Sequence, residues 1–147
     1  MTQPFPLQTV LDLMQERADE ATLKLARLIA SEKDAKNKLT MIQQYRNEYA
    51  ERFSKAAQQG ITQREWHNYQ EFLNRLDDAI ESQRQVVVRQ EQNTVAGQKH
   101  WQQQRKNLKA FDTLSDRHHA RESERENKRD QKAQDEFAAR SKNPHSE

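Results

Sequence analysis

Positions taken from Leu7 in alternating fours and threes, the spacing of a seven-residue repeat with two core positions, are Leu7, Leu11, Met14, Ala18, Ala21, Leu25, Leu28, Glu32, Ala35, Leu39, Ile42, Arg46, Tyr49 and Phe53. Twelve of these fourteen are apolar, in a chain where only 33% of residues are hydrophobic. The pattern predicts one long helix with a narrow apolar seam, over about residues 6–58. Pro4 and Pro6 suit its start, because proline fixes φ near the helical value and lacks only a donor that would be unpaired there. Gly60 suits its end, as the residue best able to take the left-handed conformation that closes a helix. A new start follows at once. Thr62 and Glu65 have the T-x-x-E spacing of a capping box, and Ile61 and Trp66 stand where a hydrophobic staple sits. The turn is therefore expected at 59–61, and a second helix over about 62–139.

The same stepping from Trp66 meets Tyr69, Leu73, Leu76, Ile80, Gln83, Val87, Gln90, Thr94, Gly97, Trp101, Gln104, Leu108 and Phe111, then Ser115, His118 and Glu122. Gln83, Gln90 and Gln104 are polar at core-type positions, so the seam is expected to weaken beyond Val87. Gly97 reads as a tolerated weak spot costing about 1 kcal/mol relative to alanine; a bend or a close approach of the helices is the other reading. A chain folded back at residue 60 pairs residues whose numbers sum to about 120. The predicted architecture is all-α, a long antiparallel two-helix coiled coil in which the second helix outruns the first. Residues 1–147 form a single coiled-coil unit, with 115–147 as overhang and flexible tail.

Composition narrows the function. With 2 glycines and 3 prolines the chain lacks the turn residues that a fold of many short strands needs. A mean hydropathy of −1.30 excludes a thick core. The formal charge of +2 is too small for the whole chain to serve as a nucleic-acid partner. There is no cysteine, hence no thiolate metal or redox site. The longest apolar run, Val86-Val87-Val88, is far short of the ~18 residues of a membrane span, and the N-terminus has no signal pattern. The expectation is a soluble, unsecreted protein without membrane insertion.

No catalytic constellation stands out: there is no phosphate-cradling glycine loop and no H-E-x-x-H. Of His67, His100, His118, His119 and His145, the adjacent pair His118 and His119 reads as solvated rather than as a chelate, because neighbouring helical residues do not share a face. No enzyme activity, cofactor or metal is expected.

Three features point to binding. Tyr45, Tyr49, Phe53, Trp66, Tyr69 and Phe72 are six of the ten aromatic residues, within 28 positions around the turn. Tyr49, Phe53, Trp66 and Tyr69 fall on the seam, whereas Tyr45 and Phe72 flank it, and Phe72 continues with Ala79 and Val86 in a flanking stripe. Second, Arg117, Arg121, Arg125, Lys128 and Lys132 lie within roughly 80° of one another on a helical wheel, with Glu122, Glu126 and Asp130 opposite. Such a helix is either solvated and held by local pairs such as Glu124 with Lys128, or docks on an acidic partner. Third, Phe137 is a lone aromatic in a polar stretch, suited to anchor another protein.

The runs LTMIQQYRNEY (Leu39 to Tyr49), REWHNYQEFLNRLDDAI (Arg64 to Ile80), HWQQQRKNLKAFDTLSDR (His100 to Arg117) and DQKAQDEFA (Asp130 to Ala138), with the Leu7-rich first helix, resemble the flagellar FliJ family. The resemblance implies a cytosolic component of the flagellar type III export machine, shaped like the central stalk of a rotary ATPase and peripherally associated with the inner membrane at the flagellar base. It implies three partners: the export ATPase ring, the cytoplasmic domain of the export-gate membrane protein, and export chaperones. The family's gate-binding stripe maps onto Ile42, Tyr45, Tyr49, Phe72, Leu76 and Ala79. Lys38 and Gln83 depart from it, where the family can have glutamine and histidine. For the ATPase the expected residues are Leu7, Leu11, Arg117, Arg121, Arg125 and Phe137, on the ground of the charge-split overhang. The alternative function is a holdase-type chaperone or structural scaffold for export substrates, using exposed aromatic stripes.

Overall fold

In the computed structural model, which describes residues 2–142, two helices account for nearly all of the chain: α1 (Gln8–Gln59) and α2 (Gln63–Lys142). No strand occurs among the described residues, and Pro144 and His145 lie outside them. Gly60 has φ of 93°, a left-handed backbone in which any larger side chain would be strained. Its N–H donates to the Ala57 carbonyl at 3.3 Å and closes the last turn of α1. Thr62 then opens α2 with both of its oxygens. Its carbonyl accepts from the Trp66 N–H at 3.0 Å, and its Oγ1 accepts from the Glu65 N–H at 3.2 Å, which is the Thr62 half of the capping box. The reversal makes the helices antiparallel, so the fold is the all-α helical hairpin that the spacing predicts.

The chain divides into two compact units, Ala21–Trp101, and Met1–Glu20 with Gln102–Glu147. In the first, the facing pairs Tyr45–Phe72, Phe53–Trp66, Gln83–Ala35 and Thr94–Leu28 have residue numbers summing to 117, 119, 118 and 122, close to the expected 120. Ala21, Ala35, Leu73, Ile80 and Val87 are buried on the predicted seam. Trp66 departs from expectation, since nearly half of it is exposed beside Phe53. A second helix screens only one side of each residue, and at the end of the seam an indole is too large to be covered.

Where the seam sequence turns polar, hydrogen bonds between the helices take over. The buried Gln83 amide donates from Nε2 to the Ala35 carbonyl at 3.0 Å. Thr94 Oγ1 lies 3.3 Å from the Leu28 carbonyl and 3.0 Å from the Gln90 carbonyl of its own helix. Trp101 Nε1 donates to Thr22 Oγ1 at 3.0 Å. A helical carbonyl has a second lone pair free to accept such a bond, so polarity here need not open the seam. Gly97 is buried, and a Cβ on it would run into Leu28 Cδ1 and touch Leu25 Cδ1 at 3.8 Å. The glycine therefore marks a close approach of the helices rather than a weak spot.

In the second unit Ala18 and Ser115 are buried on the seam. The chain before α1 is not helical from residue 6 as expected. A residue preceding proline is driven to extended backbone, and Phe5 lies between Pro4 and Pro6. The Gln8 N–H donates to the Phe5 carbonyl at 3.1 Å, and the first helical bond runs from the Leu11 N–H to the Leu7 carbonyl at 2.9 Å. Phe5 is only 8% exposed, although it is not a seam position.

Gly97 supplies a test of the close approach. Alanine gains about 1 kcal/mol of helix propensity but pushes on the flexible end of Leu28, and overpacking costs about 1–3 kcal/mol. Gly97→Ala is expected to change unfolding free energy by no more than about 1 kcal/mol, whereas the bulkier Gly97→Val is expected to lose about 2 kcal/mol or more. Urea denaturation followed by helical circular dichroism measures both. A valine variant more stable than the parent would mean that the helices stand apart at this level.

Candidate functional site

In the Ala21–Trp101 unit the aromatic residues near the turn form a continuous chain of rings. Tyr45 meets Phe72 edge-on at 6.4 Å between centroids, and Phe72 packs on Tyr49 at 4.6 Å. Tyr49 reaches Tyr69 at 5.4 Å, and Tyr69 reaches Phe53 at 5.2 Å. These separations and tilted planes suit the quadrupoles of the rings. The register that places Tyr49 opposite Phe72 brings Tyr45 level with Leu76 and Ile42 level with Ala79, so the six stripe residues are three facing pairs. Ile42, Tyr49, Phe72 and Leu76 are partly buried, Ala79 is exposed, and Tyr45 is 45% exposed. The stripe is thus half glue and half surface. Burial raises the Tyr49 phenol above its ordinary pKa, reinforced by Tyr69 and Tyr45 and opposed by Arg52.

The two flanks of this seam differ. On one, Lys36 pairs with Glu91 at 3.9 Å and Arg46 with Asp77 at 2.9 Å. On the flank of Tyr45 and Phe72, Lys24, Leu28, Asn93, Ala96, Gly97 and His100 line a hollow of about 370 Å³. Gly97, against which Leu28 packs, forms part of its floor.

In the other unit, α2 receives the segment before α1. The Gln3 backbone is read from both sides: its N–H donates to Glu122 Oε2 at 3.3 Å, and its carbonyl lies 2.9 Å from His118 Nε2. A carbonyl can only accept, so this ring nitrogen carries hydrogen. Phe5 packs on the His118 ring at 5.6 Å. His118 is therefore not part of a solvated pair; it is half-buried, and only His119 is exposed. Glu122 occupies the seam position that the stepping gives it. Its carboxylate is buried there, and Arg125 Nη1, from the basic face, donates to its Oε1 at 3.3 Å.

Arg117, Arg121 and Arg125 are exposed in this unit, with Arg121 Nε donating to the Arg117 carbonyl at 3.4 Å. Leu7 is exposed and Leu11 partly buried. The local pair of Glu124 with Lys128 forms at 3.4 Å. Every residue from Asn127 to Lys142 is exposed on a continuous helix, and Phe137 is 75% exposed. Sequence reasoning missed Gln3 and Phe5 as functional candidates. The signal was the Pro-Phe-Pro run, which holds an aromatic on an extended backbone, together with a seam stepping that reaches Glu122. Among the described residues no group of acidic or histidine side chains is placed to hold a metal, and no helix is long and apolar enough to cross a membrane.

Comparison with known proteins places this geometry. The sequence model of the family described as Flagellar FliJ protein matches residues 3–145. The flagellar FliJ protein of Salmonella typhi is 34% identical over 140 residues, covering 95% of each chain. That of Escherichia coli (strain K12) is 31% identical over the same length and share. Among solved structures, a Chlamydia trachomatis chain described as a YscO homolog has the same fold, with a TM-score of 0.57 over 97% of each chain at 16% identity.

The docked N-terminal segment can be tested directly. Burial of a phenylalanine contributes roughly 1.5–3 kcal/mol, and with only a few residues involved the loss falls on local opening rather than on the whole fold. In Phe5→Ala, amide hydrogen exchange at Gln3 and over Ser115–Glu122 is expected to quicken about 10- to 100-fold. Exchange over Leu73–Val87 should not change. Equal rates in both proteins at Gln3 would mean that Phe5 does not hold the segment.

Proposed function

Since the chain belongs to the flagellar FliJ protein family, we propose that it is a non-catalytic component of the flagellar type III protein export apparatus. It works by presenting different surfaces of one helical hairpin to different partners. The family match over residues 3–145 carries the reading. The aromatic chain Tyr45–Phe72–Tyr49 adds support, because it offers exposed ring edges held by a packed seam. Large aromatic residues in such settings are frequent hot spots.

In this reading Ile42, Tyr45, Tyr49, Phe72, Leu76 and Ala79 contact the cytoplasmic domain of the export-gate membrane protein. Leu7, Leu11, Arg117, Arg121, Arg125 and Phe137 engage the export ATPase ring. Export chaperones are further partners, and the protein acts in the cytoplasm, peripherally at the inner membrane at the flagellar base. The support for the ring contact is chemical. Arg117 and Arg121 keep their guanidinium groups in water, and Phe137 has no core to join. A second reading, a holdase for export substrates, draws support from the exposed Leu23 and Met41. An adaptor binds a folded ATPase ring, whereas a holdase suppresses aggregation of an unrelated denatured protein.

Two measurements separate the contacts. Reversing Arg121 and Arg125 together to glutamate is expected to abolish stimulation of ATP hydrolysis by a reconstituted ring, with helicity retained; full stimulation by that variant would remove these residues from the ring contact. Phe72→Ala is expected to weaken binding to the gate domain about 10-fold or more, in line with a hot-spot loss of roughly 2 kcal/mol. If helicity falls in parallel, Phe72 serves the seam and not the partner.

A further inference from the structure

A seam between two antiparallel helices has two flanks, and in the Ala21–Trp101 unit they differ in how far their cations are paired. The flank of Lys36 and Arg46 pairs them with Glu91 and Asp77, and Arg84 pairs with Glu81 at 3.7 Å. The other flank repeats every seven residues. From α1 it takes Lys24, Lys38, Tyr45 and Arg52, and from α2 Phe72, Ala79 and Val86, with Arg75 and Arg89 one position further round. Two observations place these residues on one side: the ring contact of Tyr45 with Phe72, and the hollow that Lys24 shares with Asn93, Gly97 and His100. Arg75 pairs with Glu71 at 3.0 Å. Lys24, Lys38, Arg52 and Arg89 are exposed, and among the described residues none of them forms an ion pair. Acids are few on this side: Glu65 at the start of α2, and Asp34 and Glu48 on the outer edge of α1.

We propose that this flank is a docking face for an acidic protein surface, which Lys24, Lys38, Arg52 and Arg89 steer and orient over the apolar strip formed by Tyr45, Phe72, Ala79 and Val86. The hollow at Gly97 is where an acidic side chain meets Lys24 and His100 above an apolar floor. The occupant is a protein rather than a nucleic acid for a reason of spacing. Lys24, Lys38 and Arg52 are fourteen residues apart, roughly 21 Å along the helix, whereas each nucleic-acid strand carries a charge about every 3.4 Å. Most phosphates would go unmatched, and the interleaved apolar residues would have nothing to bury. Exposed cations at the rim of an interface chiefly raise the association rate and its salt dependence.

The partner used as probe rests on the gate-binding reading, and the experiment keeps the two apart. Full-length protein is titrated with the purified cytoplasmic domain of the export-gate protein, with association rates followed at ~50 mM and ~1 M salt, where the screening length falls to about 3 Å. The combined variant Lys24→Glu, Lys38→Glu, Arg89→Glu is expected to associate about 10-fold or more slowly at low salt and to match the parent at high salt. A control reversing Lys33, Lys36 and Arg84, equal in net charge but on the opposite flank, should bind like the parent. Binding that depends on Phe72 but is insensitive to salt and to the three reversals overturns this proposal alone. No binding by the parent overturns both readings. Retention of a single-stranded DNA oligonucleotide that is lost in the same variant reassigns the face to polyanions and also overturns it.

Discussion

The tight reversal at Gly60 is the constraint on which the rest of the hairpin depends. A turn closed by one left-handed glycine and one threonine cap leaves no slack, so it sets which residue of α1 meets which of α2 in the Ala21–Trp101 unit. Tyr49 faces Phe72, Ala35 faces Gln83 and Leu28 faces Gly97 because those numbers sum to nearly the same value. Within the unit of Met1–Glu20 and Gln102–Glu147 the same sum pairs Gln3 with His118 and Glu122. In a core only two residues deep, a slip by one turn would set Leu28 against a full side chain and leave the Gln83 amide without its carbonyl.

Those polar and small positions make the register specific. An apolar seam of leucines tolerates slippage, since one leucine packs on another nearly as well as on the next. A buried amide does not, because stranding it costs about 1–3 kcal/mol. Gln83 and Thr94 therefore act as register pins, and Gly97 as the hole that admits one particular knob. Residues that weaken the seam on a hydropathy scale are the ones that fix its alignment.

The helices, the turn and the seam were legible because period and punctuation are local properties of a sequence. The aromatic grouping was legible for the same reason, since Tyr45 and Phe72 lie within 28 residues. What was not legible depended on pairing across the hairpin. Gly97 looks like a defect until Leu28 is placed opposite it. Gln83 looks like a flaw until the Ala35 carbonyl is within reach. Phe5 gives no helical signal at all, because its burial comes from an extended segment laid on His118, and a periodicity search does not register such a contact. The stepping reached Glu122 as a seam position, but its partner did not follow from the period, since it is a backbone N–H 119 residues away.

A two-helix seam also explains how the residues proposed for binding can be packing residues as well. With one neighbouring helix, each seam side chain is screened on one side and meets water on the other, so a large ring placed there contributes packing and still exposes an edge. Tyr49 and Phe72 pack the helices together and are still only partly buried, so they serve the proposed partner contact without leaving the seam. The flanking cations complete that arrangement at little cost to stability. Exposed ion pairs contribute at most about 1 kcal/mol, so leaving Lys24, Lys38, Arg52 and Arg89 unpaired forfeits little, while their charge remains available to act at the range over which proteins first meet. On the opposite flank Glu91 and Asp77 pair with Lys36 and Arg46, so the cations left for steering lie mainly on the proposed face.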